Sequence, residues 1–122
     1  MALTPFTYDD YYVLEPHQDP NITMDFILGS PGQSADYTVQ LDSTVLYNHQ
    51  KTSLKDVNLG TPATLKDKIL TVVGILTDMS GTDNNLTLDL KVTGGKAPLD
   101  VPYSVVATTG DTLPYSYTVR FY

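Results

Sequence analysis

The chain has 122 residues, no cysteine, and 14 acidic against 7 basic side chains, for a formal net charge of −7. The missing thiols exclude disulfide frameworks, thiolate nucleophiles, zinc ribbons and iron–sulfur centres, and a negative field with only scattered basic residues argues against nucleic-acid binding. Charged residues make up only 17% of the chain and hydrophobic ones 41%, so neutral polar side chains, threonine above all, must cover much of the surface, as on the outward rows of β-sheets.

The first ten residues carry neither a basic start nor an apolar stretch of signal-peptide length. The longest apolar run, residues 69–76, is far short of the ~20 residues a membrane-spanning helix requires. A soluble chain without membrane insertion is predicted, and the compartment stays open.

In chain order, the first notable run is Tyr8-Asp9-Asp10-Tyr11-Tyr12, followed by Val13 and Leu14. Alternation along this run puts tyrosines on both faces, so some must stand outside or at an interface. Tyrosine suits recognition because it presents a large apolar body with a polar tip at small entropic cost. Ile22, Met24, Phe26 and Leu28 then alternate with other residues, a turn follows over residues 29–34, and Tyr37, Val39 and Leu41 alternate again, which predicts a hairpin. A further strand over residues 44–47 either continues the previous one past a bulge at Asp42-Ser43 or stands alone. His17 and His49 fall in loop-like segments outside any catalytic motif, so no catalytic residue is assigned and the chain is expected not to be an enzyme. A metal site shared by both histidines and Asp19 finds no support in their spacing.

Over residues 61–68 the β pattern breaks: Thr61 is placed as an N-cap, Pro62 at the first helical position and Leu65 as the apolar anchor of one helical turn. Residues 69–77 are almost continuously apolar or β-branched and read as a central strand covered on both faces. Residues 78–85 concentrate turn formers, so 69–77 and 86–93 are predicted to form a hairpin. In the second of these strands Leu86, Leu88, Leu90 and Val92 occupy one face with period two. Residues 103–108 are predicted to pair with 115–121, where Tyr115, Tyr117, Val119 and Phe121 share a face.

The pattern predicts an all-β fold, an antiparallel two-sheet β-sandwich of about eight short strands in a single domain over residues 1–122, with a small closed β-barrel as the alternative. The expected function is a non-catalytic structural or interaction module, a subunit of a larger assembly. It would meet a protein, a copy of itself included, through exposed sheet edges at residues 8–14 and 115–122 and through Tyr8, Asp9, Asp10, Tyr11, Tyr12, Arg120 and Tyr122. The alternative is a calcium- or carbohydrate-binding sandwich module in which Asp78, Asp83, Asn84 and Asn85 supply calcium-ligating oxygens. No other cofactor is expected.

Overall fold

A computed structural model describes residues 1–14, 21–29, 33–79, 81 and 84–122. In it Leu86, Leu88, Leu90 and Val92 are at most 2% exposed, while Thr87, Asp89, Lys91 and Thr93 between them turn outward. The described residues form nine strands, with the two-residue period clearest in β2, β3, β7, β8 and β9: β1 (Phe6–Tyr12), β2 (Ile22–Leu28), β3 (Gln33–Leu41), β4 (Thr44–Gln50), β5 (Leu54–Gly60), β6 (Ile69–Asp78), β7 (Asn85–Thr93), β8 (Leu99–Val106) and β9 (Thr112–Phe121). They form a five-stranded sheet in the order β1-β9-β6-β3-β4 and a four-stranded sheet in the order β5-β2-β7-β8, packed as an open sandwich rather than a closed barrel. Every strand pair is antiparallel except β1 with β9, which run parallel.

The inward rows meet in one core centred on aromatic rings. Phe26 of β2 lies 4.8 Å from Tyr37 of β3, 5.8 Å from Tyr115 and 5.8 Å from Tyr117 of β9, in tilted and edge-to-face arrangements. Two of the buried phenols find backbone acceptors across the sandwich: Tyr37 donates to the Thr52 carbonyl, and Tyr117 donates to that of Val101 at 3.0 Å. The Tyr115 hydroxyl is buried with no such partner among the described residues. Burial raises the pKa of all three phenols, and each stays protonated. Because an unpaired buried hydroxyl costs roughly 1–3 kcal/mol, Tyr115→Phe is expected to leave stability unchanged or raise it. Denaturant unfolding checks this, and a loss above about 1 kcal/mol would show that the hydroxyl is bonded after all.

The helical turn α1 (Pro62–Leu65) forms as its caps dictate. Thr61 and Thr64 exchange side-chain and backbone hydrogen bonds in a capping box, Pro62 opens the first turn, and Leu65 is 1% exposed under the sheets. No helix among the described residues is long and apolar enough to cross a membrane.

Several pairings differ from expectation. Strands β6 and β7 lie in different sheets, as do β2 and β3, and β8 and β9, so none of these pairs is a hairpin. The sequential hairpins are β3–β4, across the two-residue Asp42-Ser43 turn with Asp42 in the left-handed region at φ 52°, and β7–β8. Turn residues signal that the chain reverses; whether it returns beside its predecessor or crosses to the facing sheet depends on packing partners elsewhere. Residues 44–50 are therefore a strand of their own, β4, turned back onto β3, and residues 54–60 form a further strand whose weak alternation hid it. Strand β6 is central but covered on one face only, since Val73 and Ile75 are 47% and 48% exposed.

Candidate interaction surface

The parallel pairing of β1 with β9 gathers most of the predicted contact residues at one corner. Tyr11 lies opposite Arg120, and Asp9 lies opposite Thr118 one step away on the same outward row. The Arg120 guanidinium reaches the Asp9 carboxylate through Nε at 3.0 Å and a terminal nitrogen at 3.2 Å, a forked pair that fixes both side chains. Hydrogen bonding from Arg120 holds the Asp9 carboxyl below its usual pKa, and Asp9 raises that of Arg120 in return. Beside this fork Tyr11 and Tyr122 meet edge to face at 5.3 Å, yet remain 62% and 57% exposed.

The other members of the run turn inward. Tyr12 is buried, packs on Phe121 at 6.0 Å and accepts a hydrogen bond from the Gly95 N–H at 3.0 Å. Tyr8 is half-buried against Tyr117, and burial followed by the Asp10 charge raises its pKa. Asp10 shares the inward side yet is exposed at the rim, where its carboxylate accepts from the Tyr11 N–H at 2.8 Å.

Two concavities flank the aromatic pair. One, of about 360 Å³, is bounded by Tyr11, Tyr12 and Val13 on one wall and by Lys96, Ala97, Pro98 and Leu99 on the other. The second, of about 300 Å³, is lined by Tyr122, Leu14, the α1 residues Pro62 and Ala63, and Lys66. Sequence reasoning missed these walls because they come from the β7–β8 loop and α1, distant in sequence; the prolines at 62 and 98 were the only local signal.

The predicted C-terminal edge is corrected by the topology: β9 lies between β1 and β6, so residues 115–121 are an interior strand. The four actual edges each carry a feature that resists strand addition. Edge strand β1 has the inward charge Asp10, and β8 has Pro102, which lacks an N–H at mid-strand. Both β4 and β5 break register against their neighbours and contain left-handed residues, His49 and Asp56.

Of the predicted calcium set, three members fall among the described residues. Asp78 is buried at the end of β6, with its N–H donating to the Asp111 carbonyl at 2.9 Å, while Asn84 and Asn85 are exposed where β7 begins in the other sheet. Asp83 lies outside the described residues, as do His17 and Asp19. His49 is exposed and points Nδ1 at Asp36 at 3.2 Å.

On the outer face of the four-stranded sheet a shallow concavity of about 450 Å³ runs past Ile27, Thr87, Asp89, Pro102 and Ser104. Asp89 is 24% exposed, and burial, then the neighbouring Asp100 carboxyl, pushes its pKa up to about 6, against weak relief from Lys91 at 3.8 Å. A group raised on folding contributes its stability below the unfolded value of 3.8 and loses it as pH climbs through about 6. Asp89→Asn is therefore expected to raise stability at pH 7 by on the order of 2 kcal/mol and to flatten the decline between about pH 4 and 7. Melting curves across that range check it, and an unchanged pH slope would refute the assignment.

Comparison with known proteins returns no significant match to any protein-family model, curated protein or solved structure, so the reading of this surface rests on its own geometry.

Proposed function

We propose that this chain is a non-catalytic interaction module, a subunit of a larger assembly, that meets a protein partner through the tyrosine corner where β1 and β9 end together. The observation that carries this reading is the exposed Tyr11–Tyr122 pair, beside the Asp9–Arg120 fork and flanked by two concavities. Aromatic anchors beside pockets, within a charged rim, are the arrangement in which a few residues supply most of the binding energy of a protein interface. The blunted strand edges favour docking of side chains into this corner over pairing of main chains.

Cross-linking and co-purification from the native source, comparing the wild-type chain with a Tyr11→Ser, Tyr122→Ser double variant, tests the proposal. A protein partner retained by the wild type and lost by the double variant, with the melting temperature nearly unchanged, is the expected result. Equal retention by both chains, or no partner with either, would count against it.

A further inference from the structure

The outer face of the five-stranded sheet continues from the tyrosine corner, whose Asp9, Tyr11 and Arg120 stand along its β1 margin. Register places Val73 of β6 between Ser116 of β9 and Thr38 of β3, and Ile75 between Pro114 and Asp36. The next row is Thr118, Thr71 and Gln40, with Val45 of β4 beyond them, 51% exposed. The centre is thus apolar and hydroxyl-bearing apart from Asp36 beside Ile75, and the charges on this face are already paired. On one side Arg120 holds Asp9; on the other Lys51 and His49 hold Asp36, at 3.0 and 3.2 Å. Asp36 is kept below the usual carboxylate pKa, by Lys51 first, so this side stays ion-paired.

The opposite face of the sandwich has a different character. There Asp25, Asp89 and Asp100 surround Lys91, which is opposite Asp25 on β2 and Asp100 on β8. Two copies meeting through that face would bring like charges together, at a cost that dimers avoid. Counting Asp9 and Asp36 against Arg120 and Lys51, the five-stranded face is neutral with His49 uncharged, although the chain carries −7. It therefore asks for no charged partner, and a second neutral, β-branched sheet face matches it. We infer that the chain forms a two-fold dimer by packing the outer faces of its five-stranded sheets together, with Val73 and Ile75 at the centre and the acidic faces turned outward.

The area agrees. Five strands about 4.8 Å apart, rising ~3.3 Å per residue, present on the order of 600–700 Å². Two such faces bury roughly 1,200–1,400 Å², within the range of specific protein interfaces.

Sedimentation velocity on the full chain, from about 5 μM to 1 mM, tests this inference. A monomer–dimer equilibrium is expected, with Val73→Lys weakening it at least about 10-fold by burying two ammonium groups against each other. Ser116→Lys, on the neighbouring strand, should do the same and serves as a second variant if Val73→Lys fails to fold. Val106→Lys makes a similar exchange on the four-stranded face, where Val106 is 75% exposed, and should leave dimerisation intact. A wild-type monomer at the highest concentration, or equal loss in Val106→Lys, would overturn the inference. The tyrosine corner is not touched by any of these substitutions, so this outcome is separable from that of the proposed partner.

Discussion

Leu88→Asp is expected to abolish cooperative folding. Leu88 is 2% exposed on the inward row of β7, opposite Leu28 and Tyr103. A carboxylate there has neither water nor a cationic partner, and the cost of burying it, several kcal/mol, adds to the lost apolar burial of the leucine. Against a total stability of about 5–15 kcal/mol, the combined loss removes most or all of the folded population at pH 7. Circular dichroism during thermal and denaturant unfolding reads this directly: a soluble Leu88→Asp chain with a sharp transition near the wild-type midpoint would mean that the row does not face the core. Asp89, one residue on, tolerates its charge because the pleat turns it to the other side.

Gly74→Ala is the second substitution with a large expected effect. Gly74 sits on the inward row of β6 between Leu76 and Val72, opposite Tyr37 on β3 and Tyr115 on β9. A methyl group at this position would come within 2.4 Å of Tyr37 Cβ, 2.5 Å of the Asp36 carbonyl oxygen and 2.8 Å of Tyr37 Cα. None of these atoms can swing away by a rotamer change, so the two central strands would have to separate. The expected loss is about 3 kcal/mol, at the upper end of overpacking costs, and a fall of roughly 10 °C in melting temperature. Gly81→Ala provides the contrast, because a Cβ there meets none of the described residues within 4 Å; its melting temperature should match the wild type. Equal behaviour of the two variants would refute the close approach of β3 and β6.

Gly74 also shows why one expectation about β6 was half right. Its near-continuous apolar run suggested cover on both faces, whereas Leu70, Val72 and Leu76 are buried and Val73 and Ile75 are exposed. Apolar residues on an outward row look the same in sequence whether another layer of the same chain or a second molecule covers them. The tyrosine run had a similar ambiguity. Alternation assigned its members to two faces, but the parallel alignment with β9, which brings Tyr11 beside Arg120 and Tyr122, spans more than a hundred positions and has no local signature.

The sequence by itself determined the all-β class, the inward rows of β2, β7 and β9, the capped turn at Thr61, and the absence of thiol chemistry, because period-two alternation, capping and composition act over a few residues. Tertiary structure alone decided which strands are neighbours, which edges are free, and that the outer face of β6 is neutral and bare. Those features depend on hydrogen bonds and packing between segments far apart in the chain, where a turn residue can end a hairpin or begin a crossing with equal ease.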